Sequence, residues 1–351
     1  MSDLYMTMDS ELNRVYIKYD VIKSIDTIDG LILDCDGVLI DNYKLYSEAV
    51  KRTIAFFFES FNVDEDAMDN VYSEFKARGL FNNDWIITFC IILGIICCDK
   101  DLLKIYISID PDLDIRDKIV EIMKQSSPKK VITKLPTLLS RISSPSVRSL
   151  SEALETGEHN IKRLMNLLLL PMDIGKGLIP TVFEEIYHGP LITKIYNVES
   201  VVGEPEGLIG REELSIDENK FNEMFLKFNG KIGLLTGRPR KSAEYSLSTV
   251  LNYISYALYL EDGGGDKPSI SPLMRLMYNL EINNPLVVGD SAEEIIMVKN
   301  ARKAGLKCFS CGVTGGMDWK MRLFKSLEAD VICDSTVSLF NFLGDGYGTD
   351  R

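Results

Sequence analysis

The sequence predicts an α/β protein built on a doubly wound parallel sheet, and three observations carry that prediction. Short apolar or β-rich runs recur at 31–33, 231–235, 254–260, 286–288, 307–310 and 331–333, most of them without the alternation expected of a half-exposed strand. Helix-length segments at 241–251, 269–280, 292–304 and 317–327 separate the later runs, which is the pattern of right-handed βαβ crossovers. Between the first and second runs lies a long stretch of a different kind, with amphipathic segments at 46–61, 66–78, 85–97, 115–124 and 149–170. We therefore expect a catalytic-type core formed by residues 1–42 and 228–351, and a mostly helical insertion over 43–227. About 190 residues separate Asp41 from Lys231, enough for the insertion to carry an extra subdomain.

The first run ends in the most informative segment of the chain, Asp34-Cys35-Asp36-Gly37. An apolar strand stops on two carboxylates one residue apart and a glycine turns the chain. In an open α/β sheet, ligands gather beyond the carboxyl ends of the strands, so both aspartates stand where chemistry is done. Along an extended strand, side chains two residues apart point to the same side, so both carboxyls can face one group. Three further segments follow in order: Leu234-Leu235-Thr236-Gly237-Arg238-Pro239, Gly265-Asp266-Lys267-Pro268, and Val287-Val288-Gly289-Asp290-Ser291. They offer a hydroxyl, an ammonium and another carboxylate.

Composition narrows the function classes. A net charge of -13 opposes binding to a nucleic-acid backbone, which needs a basic footprint. Seven cysteines without framework spacing fit a reducing cytosol better than a disulfide scaffold, and Cys308 and Cys311 form a lone CxxC without metal-site context. Only His159 and His188 are present, so histidine-rich metal chemistry is not expected; His188, beside Gly189-Pro190, reads as a turn residue. The N-terminus, with Asp3 and Asp9 before any apolar run, does not read as a signal peptide, and a cytoplasmic location is expected. The longest apolar stretch, from Trp85 to Cys98, is short of the roughly 20 residues that span a bilayer and reads as a buried helix of the insertion. Residues 124–148 carry six basic and no acidic residues, which reads as a solvated loop or, more sharply, as a basic lid element attracting an anion.

The ordered set of four segments resembles the haloacid dehalogenase (HAD) superfamily of aspartate-nucleophile phosphohydrolases, over Gly30 to Asp41 and Lys231 to about Asp334. The resemblance implies a Rossmann-like core with, since the insertion lies between the first two segments, a C1-type helical cap. Phe183-Glu184-Glu185-Ile186-Tyr187-His188-Gly189-Pro190, Gly207-Leu208-Ile209 and Thr236-Gly237-Arg238-Pro239 look like a subfamily IA group of phosphatases. Phosphoryl transfer needs an in-line nucleophile, charge neutralisation and a proton for the leaving oxygen. Asp34 would be the nucleophile, forming an aspartyl-phosphate, and Asp36 the general acid and then base. Carboxylates alone repel a phosphate dianion, so a hard divalent cation, best magnesium (Mg2+), is required. Its ligands, by the resemblance, would be the Asp34 carboxylate, the Asp36 backbone carbonyl and the Asp290 carboxylate. Thr236 and Gly237 would bind phosphoryl oxygens, and Lys267 would pair with both phosphate and Asp34. Glu294 stands where many relatives carry Asp; it reads either as part of the magnesium shell or as half of a Ser291-x-x-Glu294 capping box.

The expected activity is a magnesium-dependent phosphatase acting on a small phosphorylated metabolite, without nucleic-acid or membrane partners. A sugar-phosphate mutase is the alternative, and a non-enzymatic binding protein on the same scaffold is a further one, which the intact polar set disfavours. A phosphorylated ion pump is disfavoured by Asp36, where those pumps carry Thr, and by the lack of a membrane-length apolar run.

Overall fold

A computed structural model describes residues 4–10, 13–58, 65–78, 83–123 and 135–344. Two compact units emerge, Met1–Tyr43 with Glu212–Arg351, and Lys44–Arg211. Among the described residues, ten strands form in the first unit: β1 (Tyr5–Ser10), β2 (Asn13–Lys18), β3 (Gly30–Leu33), β4 (Ile40–Asp41), β5 (Glu213–Leu214), β6 (Ile232–Leu235), β7 (Tyr256–Leu258), β8 (Pro285–Gly289), β9 (Phe309–Val313) and β10 (Val331–Cys333).

The main sheet has the order β1-β2-β10-β9-β8-β3-β6-β7, and β4 pairs with β5 apart from it. The six strands from β10 to β7 are mutually parallel, as their helical crossovers require. Strands β3, β6, β8, β9 and β10 are buried along their whole length, which explains their unbroken apolar character. Alternation still sorts the two faces. Ile32, Leu235 and Val287 pack with Leu273, Leu276 and Met297, whereas Leu31, Leu33, Leu234 and Val288 pack with Phe221, Leu339 and Phe340. The chain leaves β3 toward β6 on one side and returns on the other side as β8, so the strand order reverses between β3 and β8. That is the topological switch point, the crevice where ligands bind in such sheets.

The fold class expected from the sequence is the one observed, with differences at particular elements. The N-terminal hairpin β1–β2 was not foreseen; β2 is antiparallel to β10 and buries Val15 and Ile17. The helix Glu218–Lys227, assigned from sequence to the insertion, belongs to the first unit, because its Phe221 and Met224 enter the sheet's core. The segment 149–170 is two helices, Val147–Ala153 and Glu158–Leu168; Glu155 adopts φ +53° between them and Gly157 caps the second.

Among its described residues, the regular elements of the second unit are all helices, joined by loops. Its apolar stretch forms the helix Asp84–Cys98, with Ile87 through Ile96 all buried. A side chain at Gly94 would strike Leu135 and Leu139, so that glycine lets the helix Leu135–Ser140 pack close. His188 is a buried structural residue, its Nδ1 within 3.0 Å of the Glu184 carboxylate, which also accepts the Trp85 indole N–H and the Tyr196 hydroxyl. Glu185 is held ionised: burial opposes its charge, but donors from Ser200 and the backbone of Val201, Val202 and Gly203 outweigh it. Of the basic segment 124–148, residues 124–134 lie outside the described residues; Arg141 and Arg148 make exposed ion pairs with Glu155 and Glu152. No helix of the described residues is long and apolar enough to cross a membrane.

Candidate active site

The site grows from the carboxyl ends of β3, β6 and β8. Asp34 follows β3 directly and its N–H is held by the Val288 carbonyl of β8 at 3.0 Å. Its Oδ1 accepts the Cys35 N–H at 2.8 Å and its Oδ2 accepts from Lys267 Nζ at 2.7 Å. Gly37 then takes φ +67°, which a side chain disfavours, and a Cβ there would collide with the Asp290 carboxylate. This close approach brings Asp290, just past β8, against the loop that carries Asp34 and Asp36.

Lys267 bridges two carboxylates, reaching Asp34 at 2.7 Å and Glu294 Oε1 at 2.6 Å, with all three side chains nearly excluded from solvent. Glu294 lies on the helix Ala292–Lys303 with its carboxylate folded over Gly289, where a Cβ would strike it. Ser291 does cap this helix through the Glu293 N–H, but the reciprocal capping box is not formed. The Glu294 carboxylate instead accepts from the Ser291 hydroxyl at 2.8 Å and from Lys267. Thr236, fully buried at the end of β6, accepts the Arg238 N–H through Oγ1 at 3.1 Å. Gly237 follows it in the same turn.

Four side chains, Arg238, Glu212, Lys320 and Asn42, join the set that sequence reasoning did not assign. Arg238, only 4% exposed, donates to Asp36 Oδ1 through Nε at 2.8 Å and Nη2 at 2.6 Å. The same guanidinium forms a fork with Glu212, Nη2 to Oε1 at 2.5 Å and Nη1 to Oε2 at 3.2 Å. Lys320, on the helix Asp318–Ser326, donates to Asp290 Oδ2 at 2.6 Å. Asn42 also donates to Asp36 Oδ1. Arg238 was visible in the Thr-Gly-Arg-Pro segment; Glu212 and Lys320 carry no local signal, since a charged residue in a turn or on an amphipathic helix reads as solvated.

The electrostatics divide the two aspartates. Burial, with Glu294, Asp290 and Asp36 nearby, pushes the Asp34 carboxyl well above the usual range despite Lys267. Asp36 moves the other way: burial opposes its charge, but the Arg238 guanidinium and hydrogen bonds from Arg238 and Asn42 hold it below the ordinary value. Burial disfavours charge on Lys267 and Glu294 too, yet each keeps the other ionised, Lys267 with help from Asp34.

Five carboxylates, Asp34, Asp36, Asp290, Glu294 and Glu212, thus surround three cations, Lys267, Arg238 and Lys320. This surplus of negative charge fits a divalent cation, and Lys320 occupies only one oxygen of Asp290. Among the described residues no group of three His, Cys, Asp or Glu side chains has metal-binding geometry.

No family model matches the sequence. No curated protein matches it either. Solved structures do. A crystal structure of Northeast Structural Genomics Consortium target ZR25 is 16% identical with a TM-score of 0.56, covering 91% of this chain and 99% of that one. Phosphatase Tt82 from Thermococcus thioreducens is 18% identical with a TM-score of 0.50, covering 85% of this chain and 98% of that one. Those likenesses show a shared fold. In fold, the chain is an α/β protein with a doubly wound, mostly parallel sheet, a fold it shares with these two structures.

Proposed function

We propose that this protein is a magnesium-dependent phosphatase of small phosphorylated metabolites that works through an aspartyl-phosphate on Asp34. The observation that carries the reading is the placement of Asp34, Lys267 and Asp290 together at the switch point, from three segments far apart in sequence. That one fold neighbour is itself a phosphatase agrees with it.

In this reading the phosphoryl group lies against Asp34 Oδ2, with the Thr236 hydroxyl and the backbone at Gly237 donating to its oxygens. Lys267 stays charged between Asp34 and Glu294 and places a positive group beside the transferring phosphoryl. Asp34, disfavoured as an anion while no added positive charge lies beside it, would attack phosphorus once that charge is supplied. The negative charge of a bound phosphate ester opposes the charge of Asp36 and lets it carry a proton, which it gives to the departing oxygen. As carboxylate it then takes one from the water that hydrolyses the aspartyl-phosphate. Magnesium, held by the Asp34 carboxylate, the Asp36 carbonyl and Asp290, would neutralise phosphoryl charge and lower the repulsion between nucleophile and substrate. The helical unit Lys44–Arg211 is proposed as a C1-type cap that selects compact substrates, the protein residing in the cytoplasm.

The test is hydrolysis of an aryl phosphate by purified protein with and without excess chelator. We expect release of phosphate only with magnesium or a similar divalent ion, restored when the ion is returned. Unchanged turnover in chelator would overturn the metal requirement, and a dependence on a sugar bisphosphate activator would identify a mutase.

A further inference from the structure

Asp36 has two carboxylate oxygens, and the structure treats them unequally. Oδ1 receives three donors, from Asn42 Nδ2, Arg238 Nε at 2.8 Å and Arg238 Nη2 at 2.6 Å. An oxygen so engaged has no lone pair left for a proton. Oδ2 remains for chemistry. The guanidinium that imposes this is itself fixed from behind: the Glu212 fork binds its two terminal nitrogens, and Ser246 braces both partners, accepting from Arg238 Nη1 at 3.0 Å and donating to Glu212 Oε2 at 2.5 Å. Arg238 and Glu212 side chains are each 4% exposed, so the fork is desolvated and rigid. Asn42 and Glu212 flank the β4–β5 ladder, so both chain passages at that ladder help to hold this one carboxylate.

We propose that Arg238 and Glu212 are positioning residues for Asp36, locking Oδ1 away so that Oδ2 faces the leaving oxygen of the substrate. The inference rests on the phosphatase reading and deepens it. In the step concerned, the Asp34–phosphorus bond forms as the ester oxygen–phosphorus bond breaks, and the proton on Asp36 Oδ2 passes to that ester oxygen. A carboxylate free to rotate delivers the proton less often. The loss should therefore be greatest where the leaving oxygen most needs a proton.

The experiment compares kcat/KM for an alkyl phosphate and for p-nitrophenyl phosphate in Glu212→Gln, Arg238→Lys and Ser246→Ala proteins, since kcat/KM reports the steps through the first irreversible transfer. We expect Glu212→Gln to lower the alkyl phosphate value on the order of 10²-fold, the contribution typical of a positioned acid, with only a several-fold loss for the aryl ester. Arg238→Lys, which keeps charge but loses the guanidinium contacts to Oδ1 themselves, should shift the ratio at least as far as Glu212→Gln. Ser246→Ala leaves every charge in place and should shift the ratio in the same direction by less, which keeps the inference testable if Glu212→Gln folds poorly. Equal losses on both esters, or no loss, would overturn the positioning role alone. An inactive parent protein on both esters would instead overturn the phosphatase reading, and this inference with it.

Discussion

Asp34→Asn is expected to lower kcat by on the order of 10⁴-fold or more, the scale at which loss of a nucleophile leaves only binding and electrostatic assistance. The same substitution should not lower Tm. Burial and the nearby carboxylates of Glu294, Asp290 and Asp36 disfavour a charged Asp34, so an uncharged side chain of the same shape relieves repulsion, while Lys267 keeps Glu294 as partner. Initial rates on an aryl phosphate and a thermal melt check both halves. Comparable activity in the variant would remove Asp34 from the chemistry, and a marked fall in Tm would give it a structural role instead.

The second large effect is expected at Lys267. Its ammonium is the charge that lets Asp34 and Glu294 sit together out of water, at 2.7 and 2.6 Å. Lys267→Met leaves two buried carboxylates facing each other without a counter-ion, and removal of one partner from such a set costs about 3–5 kcal/mol. Activity should fall at least on the order of 10²-fold as well, because the positive group beside the phosphoryl oxygens is gone. Adding Glu294→Gln should recover much of the stability and little of the activity. Urea midpoints and rates on the single and double variants measure the separation. A double variant as unstable as Lys267→Met would show that the loss comes from packing, not from charge.

The parallel strands were legible because a strand buried on both faces has no polar residues to disguise it: Ile232–Leu235 and Pro285–Gly289 announce themselves. The hairpin of Tyr5–Ser10 and Asn13–Lys18 was not, because an edge hairpin mixes Arg14 and Lys18 with the inward Val15 and Ile17 and resembles a polar lead-in. At the site, groups that sit beyond strand ends could be found from order and spacing, as with Asp34, Thr236, Lys267 and Asp290. Residues whose role is to hold others could not. Glu212 meets Arg238, and Lys320 meets Asp290, only after the sheet has formed, and neither has a neighbour in sequence that betrays its partner. Glu294 shows the same limit in another form, since Ser291-x-x-Glu294 has the lettering of a capping box while the carboxylate is drawn to Lys267 from another segment.

The central claim is that phosphate passes through Asp34 as a covalent adduct, and the most direct measurement is to trap it. Protein carrying Asp36→Asn, which lacks the base for the second step, would be mixed with magnesium and p-nitrophenyl phosphate, whose leaving oxygen needs no proton, quenched in acid within one turnover, digested and mapped by mass. The account predicts a single phosphoryl group on the peptide that contains Asp34. A phosphoryl group on any other residue, or turnover by the parent protein with an unlabelled Asp34 peptide in the quenched variant, would contradict it.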